Sequence, residues 1–155
     1  MKQRIYIDTS VIGGYHDGVF KEYTVPLFKR IQNGEFTVLI STVTQDELEE
    51  APIHIQELIR NMKIEFTKFL TISDEAVELA KEYIKEKVVG QSSYADCLHI
   101  ALATMHRADF LISWNFKHIV NVRRIIGYNS INIKNGYKQL EIRSPRDFEK
   151  YEDDE

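Results

Sequence analysis

The sequence has one cysteine, no long apolar run and no excess of positive charge. Cys97 is the only cysteine among 155 residues, which excludes an internal disulfide and a zinc site with several cysteines. Apolar runs such as residues 38–40 are far too short to cross a bilayer. The first residues also lack the apolar stretch of a signal peptide. We therefore expect a cytoplasmic protein with no membrane association.

The charge balance argues against a protein whose whole surface attracts nucleic acid. The net charge is -4 and the pI is about 5.8. A nuclease remains open, because acidic residues grouped around a metal ion would contribute to the negative sign. A local basic patch can still bind phosphate.

Length and composition predict one globular domain. Hydrophobic residues make up 43% of the chain and charged residues 28%, which are values typical of a protein with a packed core. We find no internal repeat and no low-complexity linker. The sequence therefore predicts a single domain over residues 1–150, followed by an acidic tail at residues 151–155.

Short apolar segments alternate with helical patterns along the chain. The segments predicted as strands are residues 4–7, 36–40, 110–112, 131–133 and 140–142, and residues 64–72 are strand-like but irregular. The predicted helices include an apolar helix at residues 94–106 and a basic helix at residues 115–125. This order predicts an α/β fold with a mainly parallel sheet, in which ligands bind at the carboxyl ends of the strands.

Acidic and polar side chains follow the predicted strands. Asp8 comes directly after the first strand, Glu47 shortly after the second, and Ser113 with Asn115 after a later one. Asp96 lies in the first turn of the most apolar helix. Carboxylates that converge repel one another, and their pKa values rise unless a cation neutralises them. Oxygen ligands suit Mg²⁺ or Mn²⁺ rather than zinc.

Each of these residues also has a simpler explanation. Asp8 could cap the segment that follows it, and Glu47 could be the capping-box partner of Thr44. Asp96 could be an acidic residue favoured by the dipole at a helix start. His99, one turn after Asp96, could be a packed histidine or could support a metal site. The joint placement of the three carboxylates at one sheet edge favours the metal site.

Four sequence blocks resemble, in order, the four motifs of PIN domains. They are residues 5–12 (IYIDTSVI), 41–48 (STVTQDEL), 95–101 (ADCLHIA) and 108–115 (ADFLISWN). The resemblance implies a three-layer α/β/α sandwich and a metal-dependent endoribonuclease that cleaves single-stranded RNA. In size the chain resembles stand-alone VapC-type toxins, which implies a small antitoxin protein as partner and a homodimer.

The resemblance also implies roles for particular residues. By position in the motifs, Asp8, Glu47 and Asp96 are the catalytic residues and bind Mg²⁺ or Mn²⁺. The fourth acidic position falls on Asn115, a weaker metal ligand, and Ser113 stands where the family has a supporting hydroxyl. Because Asn115 is not acidic, a catalytically silent PIN-type module that binds RNA or protein stays open as the alternative.

Basic residues follow the last motif. Lys117, Arg123 and Arg124 are candidates for contacting the RNA backbone, and a solvated helix face is the alternative. A rival enzyme class is an aspartyl-phosphate phosphatase, because Asp8 follows a first strand. Such enzymes need a second aspartate two residues later, where this sequence has Ser10.

Overall fold

Five parallel strands form the central sheet. The computed structural model describes residues 1–150, so the predicted tail at residues 151–155 lies outside the described residues. The strands in chain order are β1 (Gln3–Ile7), β2 (Phe36–Ser41), β3 (Thr67–Leu70), β4 (Phe110–Ile112) and β5 (Glu141–Arg143). They lie in the order β3-β2-β1-β4-β5, and every neighbouring pair is parallel. The predicted parallel sheet is confirmed.

Helices connect the strands. They are α1 (Thr9–Gly14), α2 (Lys21–Gln32), α3 (Thr42–Glu47), α4 (Ile53–Arg60), α5 (Asp74–Lys85), α6 (Tyr94–Met105) and α7 (Val122–Lys134). Short 3₁₀ turns lie at Ile64–Phe66, Gln91–Ser93 and Pro145–Phe148. Within residues 1–150, no helix combines the length and the apolar composition that a membrane crossing requires.

Helices cover both faces of the sheet. Successive strand residues point to opposite sides, so each face carries apolar side chains that the helices bury. On β1, Ile5 and Ile7 pack with α1, α2 and α4, whereas Tyr6 packs with α5, α6 and α7. The same alternation recurs on β2, where Leu39 faces the side of Tyr6. All four residues are fully buried. The chain is therefore a three-layer α/β/α sandwich with one core on each side of the sheet.

The sheet changes its direction of growth at β1. The chain builds outward from β1 to β2 and β3, and then returns to place β4 on the other side of β1. The loops that leave the carboxyl ends of β1 and β4 consequently diverge to opposite faces. In open α/β sheets this divergence forms the crevice in which ligands bind.

Two predictions late in the chain are wrong. The first is the helix predicted at residues 115–125. Residues 116–119 form turns and residue 120 a bend, and α7 begins only at Val122. Its N-cap is Asn121, which accepts hydrogen bonds from the N–H groups of Arg123 and Arg124 at 3.1 and 3.3 Å.

The second is the strand predicted at residues 131–133, which lie inside α7. In this helix Ile131 is buried and Ile133 is exposed. The prediction failed because an apolar-polar-apolar triplet this short fits the period of a strand and that of a helix equally well. The last strand is confirmed as β5.

Candidate metal centre

Asp8 lies at the carboxyl end of β1 and is only 4% exposed. Its Oδ1 accepts hydrogen bonds from the N–H of Val11 at 3.2 Å and from the hydroxyl of Ser10 at 2.6 Å. Its Oδ2 accepts the hydroxyl of Ser113 at 2.6 Å. The interpretation of Asp8 as the N-cap of α1 is therefore confirmed. The same carboxylate also stands at the predicted sheet edge.

Two serines connect the ends of β1 and β4 through this carboxylate. Ser113 donates to Asp8 and accepts the N–H of Asn115 at 2.9 Å. Ser10 also donates to Asp8 and accepts the N–H of Trp114 at 2.9 Å. Each hydroxyl thus uses its hydrogen on the carboxylate and a lone pair on the loop after β4. Asp8 and that loop are fixed relative to each other.

Glu47 is the last residue of α3 and reaches two other parts of the fold. Its Oε1 accepts the hydroxyl of Thr9 at 2.7 Å and lies 2.7 Å from Nε2 of His99. The predicted capping box is wrong: α3 begins at Thr42 with Ser41 as N-cap, and Thr44 lies inside the helix. Glu47 therefore bridges the start of α1 and the middle of α6.

His99 is buried in α6, at 2% exposure, and both of its nitrogens have partners. Nε2 faces Glu47, and Nδ1 lies 2.6 Å from the hydroxyl of Tyr6. Tyr6 in turn lies 2.6 Å from the hydroxyl of Ser41, and burial raises its pKa, so the phenol stays protonated. Of the two explanations that the sequence left open for His99, the packed histidine with a satisfied partner is confirmed. The identity of the partner at Nε2, Glu47, was not predicted.

Asp96 lies in the first turn of α6 and is half-buried. Burial raises the pKa of its carboxyl, the imidazoles of His99 and His118 lower it, and the carboxylates of Asp8 and Glu47 raise it. The three predicted acidic residues are therefore near enough to interact electrostatically. His118 also belongs to the surroundings of Asp96, and within residues 1–150 its buried Nδ1 has no hydrogen-bond partner.

The other two carboxyl groups respond differently to their surroundings. Burial raises the pKa of Asp8, although His99 and the hydrogen bonds from Ser10, Ser113 and Val11 oppose the rise. Burial also pushes the pKa of Glu47 upward. The hydrogen bonds from His99 and Thr9 outweigh this, so the pKa of Glu47 lies below its ordinary value. Glu47 is thus ionised at neutral pH, whereas the ionised forms of Asp8 and Asp96 carry a cost that a cation would relieve.

The donor set has the chemistry that a hard divalent cation prefers, since carboxylate oxygens dominate it. Among residues 1–150, however, no three His, Cys, Asp or Glu side chains are grouped so that they could hold a metal ion as they stand. Asp8 and Glu47 instead direct oxygens at hydroxyl, amide and imidazole donors. Cation binding therefore requires at least two of the three carboxylates to turn toward a common point.

Asn115 is engaged in a turn at the same edge. Its Oδ1 accepts the N–H groups of Lys117 at 3.2 Å and His118 at 2.9 Å. The carbonyl oxygen that was predicted to bind a metal ion thus caps the turn after β4. Asn115 remains beside the carboxylates because its own N–H donates to Ser113.

The three basic candidates divide into two kinds. Lys117 and Arg123 are exposed beyond Asn115, so both are accessible to a phosphate backbone. Arg124 is half-buried and donates to the carbonyl oxygen of Val88. Arg124 therefore links α7 to the end of α5, a structural role that the sequence did not indicate.

The geometry at the carboxyl edge agrees with a family match. The family model described as PIN domain matches residues 5–117, which is most of the chain and includes the three acidic residues, Ser113 and Asn115. The chain belongs to the PIN domain family. No curated protein sequence matches this PIN domain significantly.

Solved structures with low sequence identity share the fold of this PIN domain. FitAcB from Neisseria gonorrhoeae matches with a TM-score of 0.59 at 14% identity, covering 92% of this chain and 98% of that one. VapBC2 from Rickettsia felis, bound to a DNA fragment from their promoter, matches with a TM-score of 0.53 at 15% identity and the same coverage. A toxin–antitoxin complex from Klebsiella pneumoniae matches with a TM-score of 0.53 at 22% identity, covering 73% of this chain and 88% of that one.

We predict that Asp96→Asn stabilises the metal-free PIN domain at neutral pH. A raised pKa in the folded state means that stability is present at acid pH and is lost as pH rises through the folded pKa. The variant removes this loss, so its melting temperature should exceed that of the wild type by a few degrees, or roughly 1 kcal/mol for a half-buried, partly screened group. Thermal melts with a chelator, from pH 4 to 8, measure this difference.

The control is Glu78→Gln, which neutralises an exposed carboxylate on α5. It should shift the melting temperature little at any of these pH values. The difference between Asp96→Asn and the wild type should shrink toward pH 4. A variant that is less stable than the wild type at pH 7 would show that Asp96 is not under electrostatic strain.

Proposed function

We propose that this PIN domain is an endoribonuclease that hydrolyses phosphodiester bonds of single-stranded RNA with Mg²⁺ or Mn²⁺. The observation that carries the proposal is that Glu47 contacts both Thr9, the neighbour of Asp8, and His99, one turn after Asp96, where the loops after β1 and β4 diverge. Burial raises the pKa of Asp8 and of Asp96, so a divalent cation would offset the cost of their ionised forms. Metal-assisted hydrolysis of phosphodiesters requires such a cation-binding group of carboxylates.

The surroundings of each carboxylate indicate its role in the proposed reaction. Asp8 and Asp96 would hold the ion, and Glu47, ionised at neutral pH, would accept the proton of the attacking water or hold a second ion. A bound divalent ion supplies Lewis acidity, which makes water more acidic and withdraws charge from the scissile phosphate. Ser113 would keep the Asp8 carboxylate oriented through their hydrogen bond. The products would be a 5′-phosphate and a 3′-hydroxyl.

We further propose that the domain is the toxin of a toxin–antitoxin pair and acts in the cytoplasm as a homodimer with a small antitoxin protein as partner. The shared fold with VapBC2, with FitAcB and with the Klebsiella complex supports this proposal. Expression in bacteria tests toxicity, since the wild type should arrest growth and Asp96→Asn should not. Sedimentation of the purified chain tests the dimer, and a monomer at micromolar concentration would contradict it.

The purified protein should cleave unstructured RNA in the presence of Mg²⁺ or Mn²⁺ and stop when a chelator is added. Asp8→Asn and Asp96→Asn should each reduce the rate by at least about a hundredfold, because each removes a charged metal ligand. Glu78→Gln serves as the control and should cleave at the wild-type rate. Wild-type rates in either aspartate variant would refute the site.

The same assay separates the nuclease from its alternative, a catalytically silent binding module. Asn115 favours that alternative, because a neutral amide stands where the family has a fourth acidic residue and its oxygen is used in a turn. RNA binding without cleavage at any metal concentration would establish the silent module. Chelator-sensitive cleavage would exclude it.

Lys117 and Arg123 should contribute to RNA binding, because both are exposed beside the carboxyl edge. The double variant Lys117→Ala/Arg123→Ala should raise KM and flatten the salt dependence of RNA binding, by about 0.7 unit of slope for each lost phosphate contact. The matched control is Lys134→Ala/Lys138→Ala, which removes two exposed lysines near the opposite edge of the sheet. Equal salt slopes in the two double variants would assign Lys117 and Arg123 to an ordinary solvated surface.

Asn115→Asp should strengthen cation binding. Aspartate caps a turn as asparagine does, but it adds a charge beside the other carboxylates. We expect an increase of about tenfold in Mn²⁺ affinity, which is about 1.4 kcal/mol, together with lower stability of the metal-free protein. Calorimetric titration with Mn²⁺ measures the affinity and the number of ions.

Asn121→Asp is the matched control, because Asn121 caps α7 through the same kind of bonds to two backbone N–H groups. It introduces the same charge and should leave the Mn²⁺ affinity unchanged. Equal affinities for both variants and the wild type would restrict Asn115 to its capping role.

A further inference from the structure

We infer that His99 is a positioning residue that holds the carboxylate of Glu47 in place for the site at the carboxyl edge. This inference rests on the proposed function, because Glu47 matters only if the edge binds a cation. The direct observation is the 2.7 Å contact between His99 Nε2 and Glu47 Oε1. A carboxylate oxygen only accepts, so Nε2 carries the hydrogen and donates.

The imidazole ring of His99 is fixed from its other side. Nδ1 lies 2.6 Å from the hydroxyl of Tyr6 on β1, and that hydroxyl lies 2.6 Å from Ser41 at the end of β2. His99, Tyr6 and Ser41 are all buried, and the rings of Tyr6 and His99 meet edge to face. Because two nitrogens have partners in different elements, the ring cannot rotate without losing a hydrogen bond.

Glu47 needs such support more than the other carboxylates. Its side chain is 39% exposed and stands at the end of a six-residue helix, so a free glutamate there would populate several rotamers. The hydrogen bonds from His99 and Thr9 both end on Oε1. Oε1 is thereby anchored to α6 and α1. Oε2 accepts no hydrogen bond from residues 1–150, so it is the oxygen that would face a cation or a water molecule.

The packing role alone does not account for the direction of Nε2. Tyr6 already supplies one partner to the ring inside the core. The other nitrogen, Nε2, points away from the core and contacts the half-exposed carboxylate of Glu47, a residue that the family motif places among the catalytic residues. His99 thus links Glu47 to strands β1 and β2 through Tyr6 and Ser41.

The test compares two amides at position 99. The amide nitrogen of His99→Gln stands where Nε2 does and can still donate to Glu47, whereas that of His99→Asn stands where Nδ1 does and cannot reach it. We expect His99→Asn to raise the Mn²⁺ dissociation constant about five- to tenfold and to lower kcat with little change in KM. His99→Gln should recover most of the affinity. Melting curves without metal report whether both variants are folded.

A double-variant cycle shows whether His99 acts through Glu47. In a Glu47→Gln background, His99→Asn should cause no further loss of Mn²⁺ affinity. Tyr6→Phe removes the partner of Nδ1 and should raise the dissociation constant about two- to threefold. If His99→Asn does not fold, the Mn²⁺ affinities of Tyr6→Phe and His99→Gln are compared instead. A weaker affinity in Tyr6→Phe than in His99→Gln then supports the positioning role, and equal wild-type affinities refute it.

The outcomes separate the two proposals. If the wild type binds Mn²⁺ and cleaves RNA while the folded His99 variants bind Mn²⁺ as the wild type does, the positioning role is refuted and the proposed function stands. Additive losses in the double-variant cycle refute it as well. If the wild type neither binds Mn²⁺ nor cleaves RNA, the proposed function fails and the positioning role fails with it.

Discussion

Strand β1 lies between β2 and β4 and is parallel to both, and this pairing decides which loops meet. Parallel pairing places the carboxyl ends of the three strands at one edge, so the residues that follow each strand are neighbours in space. The bond between Ser113 and Asp8 is the direct result, joining residues 105 positions apart in the sequence. Any shift in the register of β1 against β4 would separate these two residues.

The three carboxylates are stabilised unequally by the fold. Asp8 is the most buried, and three hydrogen bonds offset only part of its loss of hydration, so its pKa stays raised. Glu47 is held by a hydroxyl and an imidazole, which keep it ionised. For Asp96, burial and two like charges outweigh the nearby imidazoles. The unfavourable energy of ionisation at this edge therefore falls on the two aspartates, Asp8 and Asp96.

The sequence was sufficient for the sheet and for the edge that carries the carboxylates, because both follow from short-range patterns. The strand before Asp8 is apolar and β-branched, and an α/β order makes the strands parallel. The errors have an equally local cause. Residues 131–133 are too few to distinguish a strand from a helix, and the start of α7 depends on the cap at Asn121. Neither the pairing of Glu47 with His99 nor that of Arg124 with Val88 could be predicted, because each joins residues that only the fold brings together.

The position of His99 explains why the edge can keep acidic residues close together without a bound cation. Its imidazole lowers the pKa of Asp8, of Glu47 and of Asp96, so one buried ring favours the ionised form of all three carboxyls. It bonds directly to Glu47 alone, which leaves Asp8 to the serines and Asp96 without that support. A divalent cation would supply to Asp8 and Asp96 the compensation that Glu47 already has. The proposed site is thus preorganised at Glu47, and a cation would complete it by drawing in the two aspartates.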